Sequence, residues 1–141
     1  MASDRIHALN AAIFEDRLEQ YAAAWASLDA DRAGPFFTAD AMCHWTPFDA
    51  PIKGRAAIVS AWGEAFANQA EPRMTSTVLT FAPPLGIARW ATTFRRPATG
   101  EEVSLDGVLV AEFGNSGQCR LFREWWHTSD PEYAGGAARS G

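Results

Sequence analysis

The chain has 141 residues, a length that suits one domain with a single hydrophobic core. The net charge of -5 argues against a broad basic surface for nucleic acid, and no apolar run approaches the length of a membrane span. Cys43 and Cys119 are far apart and belong to no metal-type cluster, which predicts free thiols in a reducing compartment, with a disulfide as the alternative. Because no leader peptide is visible either, we expect a cytoplasmic protein without nucleic-acid or membrane partners.

Apolar spacing predicts helices in the first half of the chain. A first helix begins at Ser3-Asp4, and one of its faces carries apolar residues at steps of three and four: Phe14, Leu18, Tyr21, Trp25 and Leu28. Gly34-Pro35 limits a second helix to a short one that ends near Phe37. A third helix is predicted over Ala56–Gln69, after a loop at Thr46–Gly54.

The second half of the chain has the pattern of β-strands separated by turns. Strands are predicted at Ala41–Trp45, Arg73–Ala82, Ile87–Arg95, Val103–Phe113 and Gln118–Thr128. Helices followed by a run of antiparallel strands predict an α+β domain over residues 1–128. Residues 129–141 are rich in Gly, Ala and Ser and are predicted to form a flexible tail.

Pairing across the two hairpin turns divides the last three strands into two faces. The turns at 97–100 and 114–117 place Gly107 between Trp90 and Glu124 on neighbouring strands. The more apolar face is predicted to lie against the helices, and it carries Trp90, Thr92, Phe94, Val103, Leu105, Gly107, Leu109, Phe122, Glu124 and Trp126. The outer face carries an apolar patch, formed by Val108, Val110, Leu121 and Trp125, that predicts a homodimer.

Glu124 is the most informative residue on the inner face. A buried carboxylate is unfavourable unless it is paired, protonated or open to a pocket. A glycine beside it leaves room above the sheet, so Gly107 favours a hollow with an acid or base at its floor. The alternative is that Trp90 fills this gap and that Glu124 forms a salt bridge with an arginine.

Several short motifs, taken together, resemble a known superfamily. They are the Tyr21–Trp25 segment, the Phe36–Ala41 turn, Pro51–Gly54 before a helix, Leu105–Val108 and Arg123–Trp126. Over roughly residues 10 to 128 the chain resembles the nuclear transport factor 2-like superfamily, in its SnoaL-like branch. The resemblance implies a cone in which a strongly curved antiparallel sheet wraps around the helices and encloses a pocket. Relatives include ketosteroid isomerases, polyketide cyclases, epoxide hydrolases, dehydratases and proteins with no known activity, so the fold alone does not fix the chemistry.

The resemblance carries over to only a few site residues. Tyr21 stands where ketosteroid isomerases keep an oxyanion-hole tyrosine, but their base aspartate falls at Trp45 and their second acid near Leu109. These departures speak against steroid isomerase chemistry. Glu124 resembles the late-strand acid of polyketide cyclases, whereas the Asp-Arg-Asp group of the epoxide hydrolases does not assemble on the inner face.

The candidate site combines two polar residues with apolar walls. Glu124 is the candidate general acid or base, and Tyr21 could donate a hydrogen bond to a developing oxyanion, with a plain core tyrosine as its alternative. The predicted pocket walls, each of which would also suit the core, are Trp25, Phe37, Trp45, Trp62, Phe66, Trp90, Leu109, Phe122 and Trp126. An alternative polar site comprises His44, Asp106, Arg123 and His127.

Two classes of function remain open. The first is a cofactor-free isomerase, cyclase or hydrolase-type enzyme that uses Glu124 for proton transfer with a small apolar molecule. The second is a non-catalytic module of the same fold that binds such a molecule or forms dimers. The chain contains no glycine-rich phosphate loop and no clustered metal ligands, so we expect neither a cofactor nor a metal.

Overall fold

The structure, a computed structural model, describes residues 11–130. Its helices are α1 (Ala11–Ala26), a 3-10 helix (Ala30–Phe36) and α2 (Arg55–Phe66). Its strands are β1 (Phe37–His44), β2 (Ile52–Lys53), β3 (Ala70–Ala82), β4 (Leu85–Arg95), β5 (Glu102–Phe113) and β6 (Cys119–Thr128). The predicted start of the first helix at Ser3-Asp4 lies outside the described residues, as does most of the predicted tail.

The helical stripe predicted from the sequence is the buried face of α1. Phe14, Leu18, Tyr21 and Trp25 are all at most 3% exposed. Leu28 follows the end of the helix with a positive φ and is only partly buried. Gly34-Pro35 falls within the 3-10 helix, which confirms that the second helix is short.

The six strands form one curved, unclosed sheet in the order β2-β1-β6-β5-β4-β3. The helices and this sheet together form the predicted α+β cone. The expectation of an entirely antiparallel sheet is wrong in one place, because β1 pairs with β6 in parallel. The chain crosses from β1 through β2 and α2 to the far end of the sheet and returns beside β1 at β6.

The predicted pairing of β4 with β5 is confirmed. Trp90 lies opposite Gly107, and Phe94 lies opposite Val103. Beyond the predicted end of the domain, the Ser129 backbone N–H donates to the Ser104 carbonyl at 2.9 Å. Asp130 is 4% exposed and forms an ion pair with Arg96 at 2.8 Å. These two residues are therefore bonded to the rest of the domain.

The predicted pairing of β5 with β6 is wrong by two residues. Glu124 lies opposite Leu109, and Trp126 lies opposite Gly107. One residue of this shift arises at the turn, because Phe113 pairs with Cys119 and not with Gln118 as the regular hairpin required. The second arises from an irregularity between Glu112 and Phe113. A shift of two residues preserves the side-chain faces of a strand, so Glu124 still lies on the concave side.

The concave side of the sheet and the helices enclose the hydrophobic core. Phe37, Leu109 and Phe122 are fully buried there, and Phe66 is 5% exposed. Phe37 and Phe122 contact each other edge to face, with ring centroids 5.7 Å apart. No helix within residues 11–130 is long and apolar enough to cross a membrane.

Gly107 allows β5 and β6 to approach closely. A Cβ atom at this position would overlap the backbone oxygen of Trp125 and would lie 2.7 Å from the Cβ of Trp126. We therefore expect Gly107→Ala to lower the free energy of unfolding by about 3 kcal/mol, the upper part of the usual range for overpacking. Urea denaturation measures this change.

Gly63→Ala is the matched control for this substitution. Gly63 is exposed in α2, and a Cβ atom there would meet nothing closer than 3.9 Å. Alanine should raise stability at that site by about 0.5–1 kcal/mol because of its helix propensity. Equal effects of the two substitutions would contradict the close approach of the strands.

Candidate functional site

Glu124 lies on the concave face of the sheet, where β6 packs against α1. The side chain is 3% exposed, and the hydroxyl of Tyr21 donates a hydrogen bond to its Oε1 atom at 3.3 Å. The predicted pair of Glu124 and Tyr21 therefore meets in the structure. Across residues 11–130, no lysine or arginine forms an ion pair with Glu124.

Burial controls the protonation of this pair. Removal from water raises the pKa of Glu124 to about 8, and the hydrogen bond from Tyr21 opposes that rise. Burial and the neighbouring Glu124 raise the pKa of Tyr21 well above its usual value. Tyr21 therefore remains a hydrogen-bond donor, while Glu124 exchanges a proton close to neutral pH.

A cavity of about 390 Å³ opens next to Glu124. Its wall is formed mainly by residues of α2, β4, β5 and β6, with Trp25 from α1 and Trp45 after β1. The complete lining comprises Trp25, Trp45, Ala61, Trp62, Glu64, Ala65, Asn68, Gln69, Trp90, Phe94, Arg96, Val103, Leu105, Glu124, Trp126 and Thr128. The cavity is thus mostly apolar, with Glu124 as its deeply buried acid.

Five of the six tryptophans line this cavity and form a continuous series of ring contacts. We call this series the tryptophan arc, and its members, in spatial order, are Trp45, Trp62, Trp25, Trp90 and Trp126. Successive ring centroids are 5.0, 5.1, 5.7 and 6.0 Å apart. Successive ring planes are inclined by 44 to 71°, so the indoles form a curved wall and do not stack.

The hydrogen bonding of the tryptophan arc is incomplete. The Trp25 indole N–H donates to the Gln69 side-chain oxygen at 2.6 Å. The buried N–H groups of Trp45, Trp62 and Trp90 have no acceptor among the described residues. Buried donors are normally satisfied, so these three groups leave capacity for an acceptor atom brought by a ligand or by water.

The predicted walls of the pocket divide into two groups. The five tryptophans line the cavity, as the predicted site required. Phe37, Phe66, Leu109 and Phe122 are core residues instead and are absent from the lining. The sequence did not separate the two groups because buried aromatic residues suit a core and a pocket equally well.

The alternative polar site is not one cluster. Asp106 lies opposite His127 in the β5–β6 pairing and forms an ion pair with Arg89, whose Nε donates to Oδ1 at 3.1 Å. This bond holds the pKa of Asp106 below its usual value. His44 and Arg123 are paired across β1 and β6 and line a second hollow, together with Met42, Thr46, Pro47, Leu121, Glu124 and Trp125.

Sequence reasoning missed most of the polar lining. Gln69 orients Trp25, and Arg96 is fixed by Asp130, a residue at the end of the described chain. Glu64 and Asn68 are four residues apart, a spacing that would have indicated a shared helical face. No group of three His, Cys, Asp or Glu side chains in the described part of the chain could hold a metal ion.

The comparisons with known proteins establish the family. The model of the SnoaL-like domain matches residues 18–122, so the chain belongs to the SnoaL-like domain family of the nuclear transport factor 2-like superfamily. A search of curated proteins found no match.

A similar solved structure is that of a hypothetical protein with a ketosteroid isomerase-like fold from Catenulispora acidiphila DSM 44928, in complex with trimethylamine. The TM-score is 0.68 at 15% sequence identity, over 77% of this chain and 83% of that chain. At this identity the likeness shows the fold alone.

The stability of the protein should depend on pH through Glu124. The folded state holds this proton up to about pH 8, whereas the reference pKa of a glutamate is 4.5. The contribution of Glu124 to the free energy of unfolding is therefore complete below about pH 4.5. It is lost as the pH rises towards 8, by about 1.4 kcal/mol for each pH unit. Glu124→Gln keeps the shape without the charge, so we expect the variant to equal the wild type near pH 4.5 and to exceed it at pH 8.

Urea denaturation at several pH values between 4.5 and 8 measures this difference. Comparison with Glu124→Gln removes the contribution of every other titrating group, since both proteins share them. Parallel curves for the two proteins would show that Glu124 is already ionised in the folded state at low pH. A large loss of stability in the variant at every pH would show that Glu124 has a buried cationic partner.

Proposed function

We propose that this protein transfers a proton between Glu124 and a small, largely apolar molecule bound in the cavity, without a cofactor. The observation that supports this most directly is the position of Glu124, a buried carboxyl group that borders the cavity and has no cation partner among the described residues. A group with a pKa near the working pH is the most effective proton donor and acceptor. Isomerase, cyclase and hydrolase-type reactions can all use such a group.

The roles of the two polar residues follow from their protonation. With a neutral ligand at pH 7, Glu124 carries its proton and acts first as a general acid. Tyr21 keeps its hydrogen and donates to the carboxylate as it forms, which stabilises the ionised state of Glu124. A positioned acid or base of this kind accelerates reactions by about 10²–10⁴-fold.

The cavity limits the size and character of the ligand. A volume of about 390 Å³ lies at the lower end of the range of about 300–1,000 Å³ found for ligand pockets. The aromatic wall favours an apolar body, and the ligand's polar group would lie near Glu124. That group is either a carbonyl oxygen or, as the trimethylamine held by the Catenulispora acidiphila protein suggests, an amine nitrogen.

A non-catalytic binding module is the second candidate. It is favoured by the small number of polar partners around Glu124, since Tyr21 is the one side chain in the described ranges that forms a hydrogen bond with it. Enzymes usually direct several groups towards the reacting atoms. The two candidates differ in whether proton transfer to carbon occurs in the cavity.

Exchange of carbon-bound hydrogen tests the catalytic function without knowledge of the natural substrate. We expect the protein to catalyse deuterium incorporation next to the carbonyl group of small cyclic ketones in D₂O at a pD near 8, where the ionised fraction of Glu124 takes the carbon-bound hydrogen, as measured by NMR. Glu124→Gln should lower this rate by about 10²–10⁴-fold, because the glutamine amide neither donates nor accepts the proton as a carboxyl group does.

Glu101→Gln is the matched control for the exchange experiment. Glu101 is exposed and is not part of the cavity lining, so its replacement should leave the exchange rate unchanged. If the ketone binds but no exchange dependent on Glu124 is observed, the non-catalytic module is favoured. Equal losses in both variants would contradict the specific role of Glu124.

We also propose that the outer face of the sheet forms a homodimer. Trp125 is 45% exposed and Met42 is 36% exposed, and Met42 pairs with Leu121 across β1 and β6. With Val108 and Val110 these residues form an apolar area of the kind that marks an interaction surface. Light scattering at micromolar concentration should report twice the 15.3 kDa mass of the chain. Trp125→Lys should lower the reported mass towards that of a single chain. A wild-type mass of 15.3 kDa would contradict the proposal.

A further inference from the structure

The tryptophan arc and Glu124 form one chemical environment. Five indoles surround the cavity, and the same cavity contains a buried carboxyl group. An indole ring has a negative electrostatic face and attracts cations more strongly than the ring of tyrosine or phenylalanine does. Because neighbouring rings of the arc are inclined to one another, they do not cover each other's faces by stacking.

The surroundings of Glu124 provide negative charge without a balancing cation. Arg96, which also lines the cavity, is bonded to Asp130. The second charged lining residue besides Glu124 is Glu64, another acid. An ionised Glu124 would therefore be a buried anion that lacks a counter-ion from the residues of 11–130, and a bound molecule could supply one.

We propose that the ligand of this cavity is a small alkylammonium compound, whose cationic nitrogen lies among the indoles of the tryptophan arc and is neutralised by Glu124. This inference rests on the proposed function only in taking Glu124 as the polar end of the cavity. A purely apolar ligand would bind equally well among leucine and phenylalanine side chains, and a buried carboxyl group would not increase its affinity. An oxygen atom on the same ligand would supply an acceptor for one of the indole N–H groups of Trp45, Trp62 and Trp90, which have none among the described residues.

Binding of such a cation is coupled to the release of a proton. The cation stabilises the ionised form of Glu124, so the carboxyl group must lose its proton when the cation binds below about pH 8. Affinity for a quaternary ammonium ion should therefore rise by about fiftyfold between pH 6 and 8 and level off above that range. The bound cation also leaves Glu124 ionised, which converts it from a general acid into a general base.

The contribution of Glu124 to this pH dependence has to be separated from that of the other ionisable groups near it. Burial raises the pKa of Tyr21 and of Cys43 above their usual values, and it raises that of Cys119 to about 12. The remaining ionisable residues that border either the main cavity or the second hollow are Glu64, Arg96, His44 and Arg123. Imidazole is the side chain that ordinarily titrates between pH 6 and 8, so His44→Asn is the necessary control for the pH profile.

Choline and 3,3-dimethylbutan-1-ol are suitable probes because they have nearly the same shape and differ in charge. We expect calorimetry of the full-length protein to show that, at pH 8, choline binds at least tenfold more tightly than the alcohol. The affinity for choline should be about fiftyfold higher at pH 8 than at pH 6. Glu124→Gln should remove that rise and the proton release, whereas His44→Asn should preserve both. Trp45→Leu and Trp126→Leu change the half-buried ends of the arc and should weaken choline binding more than binding of the alcohol.

Three results would overturn the proposal. They are equal or tighter binding of the neutral alcohol, choline binding without proton release at pH 6 to 7, and no binding of either probe. These failures are distinct from failure of the proposed proton transfer, because the ketone exchange experiment uses neutral molecules. If exchange depends on Glu124 but choline is not preferred, the proposal of a cationic ligand is rejected and the proposal of proton transfer stands.

Discussion

The burial of Glu124 without a counter-charge is the constraint on which the rest of this structure depends. The carboxyl group is tolerated because it holds its proton to unusually high pH and accepts a hydrogen bond from Tyr21. That bond joins α1 to β6, and its two residues are 103 positions apart in the sequence. The same contact therefore fixes the inner helix against the sheet and places an exchangeable proton at the cavity.

The curvature of the sheet and the size of the aromatic side chains determine the form of the cavity. A flat sheet would let the helices pack directly on it, whereas a curved, unclosed sheet leaves a space on its concave side. Part of this space is filled by close-packed aromatic residues such as Phe37 and Phe122, and part remains open beside the tryptophan arc. Core and cavity are therefore both rich in aromatic residues. They differ in whether those side chains pack against each other or border an open space.

The sequence predicted those features that depend on local periodicity. The α1 stripe, the β4–β5 pairing and the inner position of Glu124 follow from repeats of 3.6 and 2 residues and from one regular turn. The parallel pairing of β1 with β6 is a contact between distant segments, and local patterns do not encode it. The irregularity after Glu112 left no recognisable signal, and the positions of Gln69 and Arg96 at the cavity depend on bonds to distant residues.

The tryptophan arc gives the protein a particular optical property. Indoles separated by 5 to 6 Å exchange excitation energy readily, so light absorbed by one ring spreads through all five. A carboxyl group quenches indole emission more strongly when it is protonated than when it is ionised, and Glu124 borders the same cavity as the arc. The fluorescence of the arc is therefore an intrinsic record of the protonation of Glu124, against a background from Trp125 on the opposite face of the sheet.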